Sequence, residues 1–442
     1  MSKKKEGVSA GLDRLAGNPV SRRQFVRESS AALGGLSLFG ASLGAVAGSA
    51  APAAAAAAAP GAEGVSIIGL YGQWAASLAG EGPAALSFRR PEFTDLKAWH
   101  GKALGRTLEC MAIPEIGPAP QAKVNRKYTF DGLEIEELSW QLPYGRATEA
   151  YLLKPAGATG KLPGILALHD HGGWKYFGKR KITKTSENQH PMIVEHQKMD
   201  YGGRAWANEV AKRGYVVLVH DTFPFASRRV MMQDVPAVIR HGLTDDNPED
   251  PKNVEAYNNW ASDHESIMAK SLFCAGTTWP GVYFAEDRVA LDILCARPDV
   301  DPERIGCGGL SGGGMRTVYL GGLEPRIKCA VCAGFMTTWR DFLLNKSFTH
   351  TWMSYVPLLP NELDFPEILG LRAPLPTLVL DDLDDELYTV PEMKRAEGIL
   401  AEVYGKAGAP GNFKCSYYPG PHKLDVPMQE EAFDWYDRWL KA

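Results

Sequence analysis

The run Gly308-Gly309-Leu310-Ser311-Gly312-Gly313-Gly314 constrains this chain more than any other segment. A short apolar strand pattern leads into it, and a helix pattern over 315–320 leaves it. One serine therefore sits on a sharp strand-to-helix turn, with glycine two residues before and two residues after. The spacing has a physical reason: the turn exposes the hydroxyl only if strand and helix pass closely, which requires small residues on both sides. The amide after the serine, on Gly312, heads the helix and faces the place where a negative oxygen would develop. Glycine is abundant here, 46 of 442 residues, so the pattern gains meaning only from the segments around it.

A serine nucleophile needs a base, the base needs an orienting acid, and the oxyanion needs donors. After an elbow of this kind the acid comes next in the chain and the histidine last. The acid is expected in Leu378-Val-Leu-Asp-Asp-Leu-Asp-Asp-Glu-Leu-Tyr, a loop behind a buried strand. Asp385 is preferred, with Asp384 as rival. Other chemistry for this cluster fits less well. A prenyl-synthase metal motif would be helical, a haloacid-dehalogenase phosphatase needs Asp where Leu383 stands, and calcium is a minor alternative. The base is expected at His422 in Tyr418-Pro-Gly-Pro-His-Lys, because it follows both Ser311 and Asp385. His350 follows the serine but precedes the acid, and is read as a supporting residue of an insertion.

The second oxyanion amide is expected from Gly173 in His169-Asp-His-Gly-Gly, with Gly172 as alternative. A zinc site at His169 and His171 is conceivable, since i and i+2 share one strand face, but no third ligand is near. Cys329-x-x-Cys332 lies in a buried strand pattern without a second pair and reads as core. Gly306-x-Gly308 lacks the third glycine of a dinucleotide site, since Ser311 stands there. No metal and no organic cofactor is expected.

Around these motifs the chain alternates strand and helix, the mark of a largely parallel α/β sheet. Strands are expected at 127–130, 133–141, 148–154, 163–168, 215–220, 327–333, 377–380 and 413–417, besides the elbow strand. Helices are expected at 204–213, 282–297 and 426–440. The catalytic domain is expected over 127–442, with an irregular insertion at about 222–281 and another at about 335–372. Residues 61–126 read as a helical extension packed on it.

These segments resemble the alpha/beta-hydrolase superfamily from about residue 133 to the C-terminus, and within it the bacterial acetyl xylan esterase-like and dienelactone hydrolase-like branch. The residues that carry the likeness are Leu168-His-Asp-His-Gly-Gly, Asp287-Arg-Val-Ala-Leu-Asp-Ile-Leu with Arg297-Pro-Asp-Val-Asp, Gly309-Leu-Ser-Gly-Gly-Gly-Met-Arg, and Tyr418-Pro-Gly-Pro-His-Lys. The resemblance implies a mostly parallel central sheet with helices on both faces. It also implies a serine esterase with Ser311, Asp385 and His422 as triad, and Gly312 and Gly173 at the oxyanion. Dienelactone hydrolases proper use cysteine where Ser311 stands, which argues for ester hydrolysis instead of that ring opening. The implied substrate is a small-molecule or carbohydrate ester, most simply a short-chain acyl ester. A peptidase of the prolyl oligopeptidase type would share the triad order, but the residues ahead of the first strand cannot hold a propeller. A lactonase and a non-catalytic carbohydrate-binding protein are the remaining alternatives.

The N-terminus points to export. Ser21-Arg22-Arg23-Gln24-Phe25-Val26-Arg27 resembles the twin-arginine motif, after Lys3, Lys4 and Lys5 and before a mildly apolar stretch and an Ala/Pro-rich tract to residue 60. Residues 1–60 are therefore expected to be signal and linker, with the export machinery as partner and a periplasmic or extracellular destination. The stretch is too short and glycine-rich for a stable membrane span. The seven scattered cysteines suggest no disulfide framework. The net charge of −4 favours neither nucleic acid nor an anionic membrane. Two features are expected to shape the substrate site. Lys175, Lys179, Arg180, Lys181 and Lys184 form a basic run, read as a solvated face or as recognition of an acidic substrate. Trp174, Trp339, Trp352 and Tyr355 supply aromatic surface, read as lid, sugar platform or core.

Overall fold

The computed structural model describes residues 66–80 and 82–441; the expected signal and linker lie outside the described residues. One mixed sheet of nine strands organises them, in the order β1-β2-β3-β5-β4-β6-β7-β8-β9. The strands are β1 (Lys123–Phe130), β2 (Leu133–Trp140), β3 (Thr148–Pro155), β4 (Leu162–Ala167), β5 (Val216–His220), β6 (Val300–Leu310), β7 (Ile327–Ala333), β8 (Thr377–Asp382) and β9 (Phe413–Tyr418). β1, β2 and β3 form an antiparallel meander, β3 pairs antiparallel with β5, and every pairing from β5 through β9 is parallel. β1 lies at one edge with Lys123, Arg126 and Lys127 outward, charges that discourage pairing with another sheet.

The helices of six or more residues are α1 (Tyr71–Ala79), α2 (Leu96–Met111), α3 (Pro191–Asp200), α4 (Trp206–Lys212), α5 (Pro251–Cys274), α6 (Trp279–Cys295), α7 (Gly312–Leu323), α8 (Phe365–Gly370), α9 (Val390–Lys406) and α10 (Val426–Leu440). They cover both sheet faces, and the strand alternation divides the core accordingly. Leu166 and Leu168 belong to one cluster with α6, α7 and the second insertion, while Ile165 and Ala167 belong to the other with α4 and α10. Cys329 and Cys332, three apart on β7, fall in opposite clusters, so their thiols lie on opposite faces and cannot share a metal. No helix among the described residues is long and apolar enough to cross a membrane.

The segment ahead of the sheet is tied down by polar contacts. The last carbonyls of α2, those of Met111 and Ala112, accept from the hydroxyls of Thr278 and Thr277, each at 2.7 Å, at the start of α6. Trp99 Nε1 donates to Leu86 O at 2.7 Å while its ring packs on Phe88.

Four elements differ from the sequence expectations. The first insertion is not irregular: α5 fills 24 of its residues, after an Asp250 cap and Pro251 in the first turn. Its buried face includes Asn258 and Glu265, which interrupt the apolar period that would have revealed it. α3 was hidden in the same way, with His196, Gln197 and Asp200 facing inward. β8 runs on to Asp382, so two acids expected in a loop are strand residues. α9, which none of the expectations included, has a regular buried stripe of Met393, Ala396, Leu400 and Val403.

β6 sits at the centre of the parallel half, and Gly308 gives it room there. A Cβ on Gly308 would lie 2.1 Å from the Tyr436 hydroxyl of α10, which donates to Cys307 O at 2.9 Å. Gly308→Ala is therefore expected to cost about 1–3 kcal/mol, read as a lowered thermal midpoint, through displacement of that tyrosine and of the Val331 carbonyl on β7, which would stand 2.7 Å from the Cβ.

Candidate active site

Chain order reverses at β4, which has β5 on one side and β6 on the other, so the segments leaving β4 and β6 meet at the carboxyl end of the sheet. Contact there is backbone to backbone. A Cβ on Gly309 would stand 2.1 Å from Leu168 O, and one on Gly313 also 2.1 Å from Leu168 O. Both glycines flanking the serine turn are thus required by the β4 strand end as well as by the turn. Ser311 takes φ 58° and ψ −117°, a left-handed conformation that costs a non-glycine residue on the order of 1–3 kcal/mol. Its amide donates to Ala333 O at 2.9 Å and its carbonyl accepts from Met315 N at 2.8 Å, which hold the turn against β7 and α7.

His422 arrives from the other side. Its Nδ1 lies 2.6 Å from Asp385 Oδ2, and its ring rests on Gly334, where a Cβ would be 2.9 Å from Cε1. Gly334 directly follows Ala333, the residue bonded to Ser311, so the ring stands beside the serine turn. Nε2 is buried and has no hydrogen-bond partner among the described residues. Burial opposes a charge on this ring, but the Asp385 carboxylate, with Asp200 and Asp382 beyond it, outweighs burial and pushes its pKa up to about 9.

The acidic loop divides its labour. Asp385 Oδ1 accepts from Leu387 N at 2.9 Å, which aims the other oxygen at His422. Asp384 accepts from Gly420 N at 2.9 Å, and Asp382 from Lys423 N at 3.0 Å. Asp384 and Asp382 therefore grip the loop that presents His422, and Asp385 alone of the three touches the imidazole. Burial pushes Asp382 up to about 7 and raises Asp381 well above the usual range.

The loop after β4 is where geometry and expectation part. The Gly173 amide donates to His171 Nδ1 at 3.0 Å, so it is engaged within its own loop. The amide lying against the elbow is that of His171: a Cβ on Gly312 would be 2.6 Å from His171 N. Sequence reasoning passed over His171 because its side chain drew attention to metals. That side chain is a strut: Nε2 meets Glu265 Oε1 of α5 at 2.7 Å. Glu265 Oε1 also accepts from Lys175, while Oε2 accepts from Thr351 Oγ1 at 2.9 Å and Trp352 N at 3.0 Å in the second insertion. Burial and the Lys175 charge push His171 down to about 4; burial, with Arg316 and Lys181 nearby, pushes His169 down to about 3. Among the described residues no group of three or more His, Cys, Asp or Glu could hold a metal ion.

The basic run is neither a solvated face nor an open anion site. Lys175, Lys179 and Lys181 are buried, paired with Glu265, Asp221 and Asp170 respectively. Arg180 pairs with Glu249 and Lys184 with Glu187. Of the aromatic residues, Trp174 lies with its ring 5.2 Å from that of His196, tilted by 36°. Trp339 and His350 pack with Phe342 at 5.9 and 4.6 Å. Trp352 remains 41% exposed.

No family model matches the chain. It is similar to "Putative hydrolase YtaP" of Bacillus subtilis strain 168, with 26% identity over 310 residues, 69% of this chain and 88% of that protein. Among solved structures, a putative acetyl xylan esterase from Bacteroides fragilis superposes with a TM-score of 0.57 at 17% identity, over 78% of this chain and 81% of that one. A glucuronoyl esterase from Solibacter usitatus superposes with a TM-score of 0.52 at 16% identity, over 81% and 97%. With the strand order and the strand-to-helix serine turn described above, these likenesses establish that the chain has the alpha/beta-hydrolase fold.

Proposed function

We propose that this protein is a serine carboxylic-ester hydrolase acting on short-chain acyl esters of neutral carbohydrates. The observation that carries the reading is His422, bonded to Asp385 at 2.6 Å through Nδ1, with Nε2 unpartnered among the described residues and the ring resting on Gly334, next to the Ala333 carbonyl that accepts from Ser311 N. Ser311 Oγ attacks the ester carbonyl and His422 Nε2 takes its proton. Asp385 holds the imidazolium, and the tetrahedral oxygen is received by the amides of Gly312 and His171. Collapse expels the alcohol, which takes the proton from His422, and water then repeats the sequence on the acyl-enzyme. The names of the relatives, a hydrolase and two carbohydrate esterases, agree with this class of reaction. A neutral sugar is favoured over a uronate because the lysines beside the oxyanion loop are already matched by Glu265, Asp221 and Asp170.

The mature protein is expected to hydrolyse p-nitrophenyl acetate faster than the decanoate. Ser311→Ala should lower kcat by about 10⁴-fold or more; full activity in that variant overturns the proposal.

The pH profile carries its own test. A general base works only when neutral, so kcat/KM should rise with pH as His422 loses its proton near 9. Lys181, pushed down to about 8 by burial, titrates in the same range. Asp385→Asn separates them: it removes the carboxylate that raises His422 and should move only the rising limb to lower pH, with a large loss of rate. Asp384→Asn should leave that limb in place.

We also propose export by the twin-arginine route, resting on Ser21-Arg22-Arg23-Gln24-Phe25. Replacing Arg22 and Arg23 by lysine should leave the esterase in the cytoplasmic fraction; unchanged export would reject the assignment.

A further inference from the structure

Lys181 has no part in the chemistry proposed above, yet its side chain is wholly buried beside the elbow. An ammonium placed there must be well hydrogen-bonded to be tolerated. It donates to Asp170 O at 2.9 Å and His171 O at 2.8 Å, and lies 3.3 Å from Asp170 Oδ2. Its own backbone is fixed in turn. Lys181 N donates to Gly178 O at 2.9 Å and Lys181 O accepts from Gln197 Nε2 at 3.2 Å. Asp170 is held from two further directions, by the Tyr201 hydroxyl at 2.6 Å and by His196 Nε2 at 3.1 Å.

The direction of these bonds matters more than their number. In a trans peptide the C=O and the N–H point opposite ways. The Asp170 carbonyl is held by Lys181 Nζ and meets His169 Nδ1 at 3.0 Å. The N–H across the same peptide belongs to His171 and must therefore point away from Lys181. Gly312 is the elbow residue packed against this peptide, where a Cβ would come within 2.6 Å of His171 N. A donor on the carbonyl oxygen also polarises the amide and strengthens its N–H as a donor.

We infer that Lys181 is the positioning residue of the oxyanion site: it locks the Asp170–His171 peptide so that the His171 N–H faces the reacting carbonyl oxygen, and it polarises that amide. The inference rests on the esterase reading. Lys181 never touches substrate. It acts through one peptide group, so its contribution belongs to the transition state and not to ground-state binding.

Lys181→Met keeps the length of the buried stem and removes the donors. Two readouts follow: steady-state kinetics on p-nitrophenyl acetate, and inhibition by phenylboronic acid, whose serine adduct places a tetrahedral oxygen in the oxyanion site. The expected result is a fall in kcat of about 100-fold with KM nearly unchanged, the scale for one oxyanion donor. Boronate affinity should fall by a comparable factor. A purely structural lysine would lower the thermal midpoint while leaving kcat and boronate affinity of the folded protein within about threefold of wild type, and that outcome overturns the inference. Should Lys181→Met fail to fold, Lys181→Gln serves, since its amide can donate to a carbonyl without the charge; an intermediate loss of kcat supports the inference and none overturns it. Ser311→Ala, run alongside, separates the two levels. If that variant is as active as wild type, the esterase reading falls and this inference with it. If it is inert and the Lys181 variants are unimpaired, only the role of Lys181 is lost.

Discussion

Everything chemical in this molecule depends on one close approach, that of the Leu168 carbonyl to the Cα atoms of Gly309 and Gly313. A methyl group at either glycine would drive the β4 strand end away from the serine turn. With hydrogen there instead, the loop leaving β4 and the helix leaving β6 meet at the reversal of strand order, and the backbones of His171 and Gly312 come into contact. The left-handed backbone at Ser311 is the local cost of that meeting. The bonds from Ser311 to Ala333 and Met315 hold it in place.

The charged groups around this point act mainly as fasteners. Asp382 and Asp384 hold the backbone of the His422 loop, Asp170 gathers Lys181, His196 and Tyr201, and Glu265 gathers His171, Lys175, Thr351 and Trp352. Buried ion pairs are weak contributors to net stability, but removing one member leaves an uncompensated charge and costs about 3–5 kcal/mol. A site built this way is stiff where Asp170, Glu265 and Asp382 hold it, because these buried side chains cannot reach water when they let go.

The sheet and the serine turn were legible in the sequence because glycine spacing and apolar strands report short-range sterics. The pairing of His422 with Asp385 in preference to Asp384 was legible too, although only coordinates reveal what Asp384 holds. The polar interior was not legible. Residues 175–184 look like a solvated basic face, yet Lys175, Lys179 and Arg180 pair with Glu265, Asp221 and Glu249 far along the chain, and Lys181 is buried against Asp170 in the loop just before it. α3 and α5 went unrecognised for the same reason: a helix that buries His196 or Glu265 for a long-range bond breaks the apolar period by which helices are recognised. The exchange of Gly173 for His171 as the amide facing Gly312 turns on the orientation of a single peptide, which no side-chain pattern encodes.

Glu265 carries a constraint of its own. One of its oxygens receives His171 and Lys175 from the loop after β4, and the other receives Thr351 and Trp352 from the second insertion. The lysine and the tryptophan amide can only donate, and they sit at opposite oxygens. An amide side chain of the same length has one accepting and one donating end, so it would meet a donor with a donor whichever way it turned. What is demanded at position 265 is therefore acceptance on both sides, a matter of hydrogen-bond polarity more than of net charge. Through this doubly accepting joint both insertions seat on the loop after β4.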